Sequence, residues 1–287
     1  SALQALDQAG VEIDEALRGL VNYFAGEYGA AMQAFDHSLQ NAPADPGLAL
    51  YYYGLAAREL GGTEEALKLW DRLIVELPDH RFWDEAWEQK AYTQWAFMDQ
   101  YSQAIQTLRE FVNTYPSQAR APEFLFDAAQ ISITAGRLEQ AVELYLQVTT
   151  NYPTSEEAMR SMFLAGITYF RLGNLTQAFT SFQSYLGLST QMGERAAAYL
   201  WMGKSLSAQG DQAGALECFR QAHLLYAERG DAQEVVAAPV PRGAGLERLL
   251  RRLGLLRDAR QRVVLAEDAD DRRALAVLRD ERRRQVG

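Results

Sequence analysis

The chain has 287 residues, of which 48% are hydrophobic and 23% charged, a balance that excludes wholesale disorder and supports a buried core. Its net charge of −10 argues against nucleic-acid binding, because phosphate contacts need basic clusters. The longest near-continuous apolar run, Leu48 to Ala57, is well short of the roughly 18 residues needed to span a bilayer, and the single cysteine, Cys218, excludes an intrachain disulfide.

Self-comparison finds one unit repeated six times along residues 1–227. Copy one carries Gly19, Gly26, Ala31, Met32, Phe35 and Pro43. Copy two follows in the same register with Gly54, Gly61, Ala66, Leu67, Trp70 and Pro78. Copy three has Tyr92, Asp99, Ala104, Ile105, Leu108 and Pro116, and departs most, with Tyr92 and Asp99 where a small residue and glycine are usual. Copy four has Ala129, Gly136, Ala141, Val142, Tyr145 and Pro153. Copies five and six have Gly166, Gly173, Ala178, Phe179 and Phe182, then Gly203, Gly210, Ala215, Leu216 and Phe219. Successive alanines stand 35, 38, 37, 37 and 37 residues apart.

Each position has a physical reason. The small residue lets two helices approach closely, and the bulky residue one turn later fills the groove. Glycine or aspartate ends the first helix, where a left-handed cap is cheap only for such residues. Proline ends the second helix, since its ring and missing donor disfavour continuation. One helix pair cannot bury its apolar face alone, so the expectation is a stacked solenoid with a continuous core.

The pattern resembles the tetratricopeptide repeat, most plainly in GEYGAAMQAFDHSLQNAP (26–43) and GDQAGALECFRQA (210–222). The resemblance implies an all-α, right-handed superhelical solenoid of about six helix–turn–helix repeats, followed by a short C-terminal helical tail. Copies three to five carry Phe-Val-Asn-Thr-Tyr-Pro-Ser (111–117) and Val-Thr-Thr-Asn-Tyr-Pro-Thr-Ser (148–155). This Tyr-Pro-x-Ser style is similar to bacterial envelope proteins, including outer-membrane assembly lipoproteins and the periplasmic adaptor of the Tol–Pal system. AAAYLWMGKSLSAQGDQAGALECFRQA (196–222) and LLYAERG (224–230) also resemble the N-terminal helical solenoid of soluble lytic transglycosylases. That resemblance implies a wall-related setting but no activity here, since that family's catalytic domain lies downstream of its solenoid.

In a tetratricopeptide array the first helix of each pair lines the concave surface. Carried across by register, the side chains facing that groove are Tyr23, Phe24, Tyr51, Leu55, Arg58, Gln89, Phe97, Phe126, Gln130, Arg160, Phe163, Phe170, Arg171 and Lys204. Aromatic residues with arginine are typical of binding hot spots and suit a peptide or sugar carrying a carboxylate. The alternative is that several of these aromatics belong to the inter-repeat core. The carboxylate clamp of chaperone-binding relatives is unmatched, with Tyr51, Leu55 and Ala86 at its positions. Trp83, Trp87 and Trp95 fall at helical spacing in residues 82–97. They read either as a stacking platform or, preferably, as a widened inter-repeat core that explains the 38-residue spacing.

Nothing in the sequence forms a catalytic constellation, and no cofactor or metal is expected. His37, His80 and His223 lie in different copies without a second ligand at useful spacing, and His37 reads as a surface residue. Cys218 reads as a small core residue rather than a nucleophile. Glu64–Glu65 and Glu156–Glu157 open helices, where carboxylates favour the positive end of the dipole.

The end of the chain changes character. All aromatic residues lie at or before Tyr226, while 14 of the 25 arginines and no lysine follow residue 227. Residues 228–245, with Gly230, Pro239, Pro241, Gly243 and Gly245, read as a linker. Residues 246–287 read as an Arg-rich helical tail, with Arg248, Arg251 and Arg252 beside leucines. A cap on the solenoid, an interaction or membrane-surface helix, and a non-native extension all fit.

The resulting expectation is a non-catalytic protein–protein interaction scaffold of the bacterial cell envelope or periplasm, holding a peptide or protein segment in its concave groove. The alternatives are the solenoid fragment of a peptidoglycan lytic transglycosylase and a cytoplasmic assembly adaptor. Expected partners are a protein or peptide, with peptidoglycan as a further candidate, and no nucleic acid.

Overall fold

The computed structural model describes residues 13–229. Among these there are twelve α-helices and no strand. The chain divides into two compact units, Ser1–Gly173 and Asn174–Gly287. The first holds α1 (Glu15–Phe24), α2 (Tyr28–Gln40), α3 (Pro46–Glu59), α4 (Thr63–Glu76), α5 (Trp83–Ala96), α6 (Tyr101–Thr114), α7 (Ala121–Thr134), α8 (Leu138–Asn151) and α9 (Glu156–Arg171). The second holds α10 (Leu175–Leu188), α11 (Met192–Gln209) and α12 (Gln212–Arg229). The expected linker and Arg-rich tail, from residue 230 onward, lie outside the described residues, and α12 carries the repeat two residues past 227.

The short turns form where the repeat register requires. Gly26, Gly61, Gly136, Gly173 and Gly210 all have positive φ, and copy three places Asp99 there at φ 55°. In four of these turns an N–H reaches five residues back across the helix end, as from Gly62 to Ala57 O at 2.8 Å and from Arg137 to Ser132 O at 2.8 Å. In copy three the Gln100 N–H instead reaches six residues back, to Gln94 O at 2.7 Å. Helices α5 and α7 are equally long, so the extra residue of the 38-residue spacing sits in the Phe97–Gln100 turn rather than in a widened core.

The glycines twelve residues before each alanine permit close approach. A Cβ on Gly54 would lie 2.6 Å from the Trp70 indole, and one on Gly19 would lie 2.5 Å from the Phe35 ring. Trp70 and Phe35 are fully buried. The second unit repeats the device with Gly203 against Phe219. In copy four Ala129 fills this position and is also fully buried.

One core cluster runs through the first unit from Leu50 to Ala165. Trp83 and Trp87 belong to it. Trp83 packs on Phe111 and Tyr115 at 5.4 and 4.8 Å and donates its indole N–H to Ile74 O at 3.0 Å. They are core, as preferred from the sequence, while Trp95 is half-buried beside Tyr92. Tyr115 of the first Tyr-Pro segment is thus a lid on this core. Within the unit, helices pack on their chain neighbours, and first helices of successive pairs also touch: α1 with α3, α3 with α5, and α7 with α9. This closer approach makes the first helices an inner layer.

Asp45 ties copy two to copy three. Its carboxylate caps α3 by accepting from the Leu48 N–H at 2.8 Å, and also meets His80 Nε2 at 2.8 Å and Arg81 at 3.1 Å. The His80 Nδ1 accepts from the Phe82 N–H at 3.2 Å, which leaves Nε2 as the donor to Asp45. Burial alone would raise the Asp45 carboxyl, but the Leu48 N–H, His80 and Arg81 outweigh it and hold the group below the ordinary carboxylate range.

Gly54→Ala should cost roughly 1–3 kcal/mol of unfolding free energy in urea titrations, because the Trp70 ring has nowhere to move. Gly29→Ala, on α2 with nothing within 4 Å of the added carbon, should stabilise by up to about 1 kcal/mol. Equal losses at both sites would refute the close-approach argument. Because the folded Asp45 titrates below its unfolded value, its stabilisation is full above the ordinary carboxylate range and fades as pH falls through the folded value. Asp45→Asn should therefore melt earlier than wild type at neutral pH and converge with it in acid; a constant difference across pH would contradict this.

Candidate functional site

The inner layer of the first unit carries most of the side chains that register assigns to the groove, but it does not treat them alike. Arg58, at the end of α3, is only 6% exposed. Its guanidinium lies 5.1, 5.3 and 5.7 Å from the ring centres of Phe97, Tyr92 and Trp70. Nη1 donates to Gln89 Oε1 on α5, Nη2 is 3.8 Å from Glu59, and Nε is buried with no acceptor among the described residues. Burial pulls the guanidinium down from its ordinary value, partly offset by Glu59 and the tyrosines around it. It remains a cation at neutral pH. Arg58 is therefore a structural cation between two repeats and not a groove contact, a correction to the expectation from register.

The reason lies in copy three. Its two irregularities, Tyr92 in place of a small residue and Phe97 in the longer turn, supply two of the three rings around Arg58. Register alone gives the helix face but not which neighbour folds over it. Phe97 itself is 47% exposed, so its outer face remains at the surface.

Leu55 and Phe126 are buried too, another departure from the expected groove lining. Leu55 belongs to the main core cluster. Phe126 lies on α7 beneath Arg160, whose guanidinium is 4.8 Å above its ring, and 5.8 Å from the Tyr145 ring. Tyr145 on α8 is 1% exposed and donates its hydroxyl to Gln130 Oε1 at 3.0 Å. Burial raises the Tyr145 phenol well above its ordinary value, and Arg160 and Arg171 act in the opposite sense. Phe126, Gln130 and Arg160 are thus brought together beside Tyr145, whose hydroxyl also feels the charges of Arg171 and Asp127. Arg160 and Arg171 are exposed.

Tyr51 is half-buried and stacks on Phe82 at 4.5 Å with 11° between planes. Phe163 and Phe170 on α9 are half-buried. Tyr23 and Phe24 meet edge to face at 5.3 Å at the end of α1, with Phe24 exposed. Lys204 belongs to the second unit, where its ammonium lies 4.0 Å from the Trp201 ring centre. Sequence reasoning assigned Tyr145 to packing and did not single out Phe82. The signal for Tyr145 was its hydroxyl, since copies one, two, five and six place phenylalanine or tryptophan at that register.

Other chemistry is sparse. His37 is exposed, and among the described residues no group of three or more His, Cys, Asp or Glu is placed to hold a metal. Cys218 is half-buried, and burial, Glu217 and Asp211 push its thiol up, away from the reactive thiolate.

A family model described as the tetratricopeptide repeat matches residues 89–156 and 126–193, and a second of the same description matches 48–80 and 197–229. The chain carries tetratricopeptide repeats. Among solved structures, the C-terminal part of a TPR repeat-containing protein from Cytophaga hutchinsonii is similar, with 15% identity, 85% of this chain and 89% of that one covered, and a TM-score of 0.55. MamA from Desulfovibrio magneticus shares 17% identity over 64% of this chain and 97% of that one, with a TM-score of 0.45. A putative kinesin light chain with TPR-like repeats from Podosopora anserina shares 15% over 63% and 95%, also at 0.45. The Cytophaga likeness is one of fold alone. Comparison with curated proteins finds no match. None of these likenesses supports the resemblance to lytic transglycosylases.

Within this tetratricopeptide frame, Arg58→Ala should destabilise by roughly 2–4 kcal/mol in urea titrations, since it opens the aromatic cage and strands Gln89. Arg160→Ala should stay within about 0.5 kcal/mol of wild type, as an exposed substitution. Similar losses for both would refute the division into structural and surface arginines.

Proposed function

We propose that this chain is a non-catalytic interaction scaffold, and that the inner layer of first helices in Ser1–Gly173 binds a peptide or protein segment. The observation that carries the reading is the exposed Arg160 guanidinium set 4.8 Å over the buried Phe126 ring, with Arg171 exposed on the same helix. Two exposed cations on one helix of an acidic chain, one of them set over an aromatic ring that is already packed, form a patch of the kind that concentrates binding energy. The patch sits on a layer whose backbone is fixed by the repeat core, so little ordering is needed on binding.

A bacterial envelope setting is also proposed. It rests on the Tyr-Pro-Ser segment at 115–117 and the Tyr-Pro-Thr-Ser segment at 152–155, and on nothing in the geometry. Recovery of the native protein from the cytoplasmic fraction of its own cells would count against it.

The Arg160→Glu/Arg171→Glu double variant should retain the helical circular dichroism and melting midpoint of wild type. Immobilised on a resin, it should lose the partners that the wild-type chain retains at moderate salt. An unchanged set of retained proteins would reject the inner-layer reading.

A further inference from the structure

We propose that the rings of Tyr23, Phe24, Tyr28 and Tyr52, where copy one meets copy two, form a subsite for an arginine side chain of the bound segment. This rests on the inner-layer reading above and says what that face selects. The rings come from α1, α2 and α3. Tyr23 lies 5.3 Å from Phe24, 5.7 Å from Tyr28 and 5.3 Å from Tyr52, and Phe24 lies 5.8 Å from Tyr52. Phe24 is 72% exposed and the three tyrosines are half-buried, so the cluster is anchored in the fold yet reachable from solvent. The next junction along the unit shows what such a cluster holds. There Arg58 of copy two lies 5.1 to 5.7 Å from the rings of Phe97, Tyr92 and Trp70. Eight residues before its repeat alanine, copy two has Arg58 and copy one has Tyr23. Copy one thus contributes a further ring at the position from which copy two contributes its cation. Phe82, Phe124 and Phe126 of the same unit also carry guanidiniums, those of Arg81, Arg120 and Arg160, at 5.0, 4.8 and 4.8 Å. At the first junction the guanidinium comes from the partner.

Charge favours a cation there. Helix α1 ends at Phe24 with no basic residue in its last turn, so its own side chains do not offset the negative end of its dipole. Glu59 ends α3 at the register position that Phe24 holds in copy one, and its side chain is 38% exposed. Burial and the Glu59 carboxylate both raise the Tyr23 phenol, and Arg58 acts in the opposite sense. Arg58 is thus the like charge in the neighbourhood. It is 6% exposed, stands 3.8 Å from Glu59 and is enclosed by its own three rings, so it leaves the exposed Phe24 face free. The chain's net charge of −10 adds long-range attraction for a basic segment. A guanidinium suits the cluster better than an ammonium, because it is planar, weakly hydrated and stacks on aromatic faces.

The test uses the full chain and pools of acetylated, amidated peptides with a central Arg, Lys or citrulline in a randomised neutral background. Citrulline keeps the shape of arginine without its charge. Binding is read by fluorescence anisotropy at about 0.3 M salt, where attraction to the chain's overall charge is screened. The Arg pool should bind about tenfold tighter than the citrulline pool, with Lys between them. Phe24→Leu, an exposed substitution that keeps the side chain apolar, should erase most of that preference while leaving the melting midpoint unchanged, which general loss of structure would not do. Glu59→Gln gives a second reading and should reduce the same preference. Equal binding of the Arg and citrulline pools, or an Arg preference untouched by both variants, would overturn the subsite but leave the inner-layer reading standing. Lys binding as tight as Arg would overturn the arginine assignment. Self-association in sedimentation velocity that Phe24→Leu abolishes would give the face to a second copy of the chain and overturn the subsite. No binding of any pool would overturn the peptide reading itself and the subsite with it.

Discussion

The close approach of two helices within each pair is the constraint on which the rest of this fold depends. A missing Cβ at Gly19, Gly54 or Gly203 lets an aromatic ring from the second helix lie directly against the backbone of the first. That contact sets the distance within a pair, and the distance determines which residues can reach the next pair. The left-handed turns at Gly26, Gly61, Gly136, Gly173 and Gly210 follow from it, because helices so close can be joined only by a tight cap. A single core through the first unit is then possible because each pair presents the same apolar faces to its neighbours.

Copy three shows what happens when the register is broken. Tyr92 stands where the others have a small residue, and the turn after α5 gains Phe97. Both rings turn toward Arg58 of the preceding copy. A buried guanidinium costs several kcal/mol of desolvation. Three aromatic faces at roughly 1–2 kcal/mol each, with the bond to Gln89, offset much of that. The irregular repeat and the buried cation are therefore two sides of one adaptation, in which a junction is locked by a charge and not only by apolar packing.

The opposite end of the same unit uses arginine differently. Arg160 rests on Phe126 but keeps its charge in water, and Arg171 is exposed. The difference between the two arginine settings is the neighbour: Arg58 is covered by an aromatic turn from the next repeat, while Arg160 lies on an aromatic residue without being covered. Tetratricopeptide repeats supply the same helix pair six times, and these local departures distinguish one copy from the next.

The amino-acid sequence by itself determined the helix pairs, their six turns and the class of fold. Those features are local: a small residue faces a bulky one at fixed spacing, glycine or Asp99 takes a left-handed cap, and proline ends a helix. Arg160 and Arg171 were also legible, because register places them on first helices and they remain exposed. Only the tertiary structure decided that Arg58, Leu55 and Phe126 are buried, and that Tyr145 holds Gln130. Burial at those positions is fixed by side chains from another helix, 15 to 39 positions away along the chain: Gln89, Tyr92 and Phe97 for Arg58, and Tyr145 for Gln130. Periodicity reports which way a residue points on its own helix, and cannot report what its neighbour lays over it.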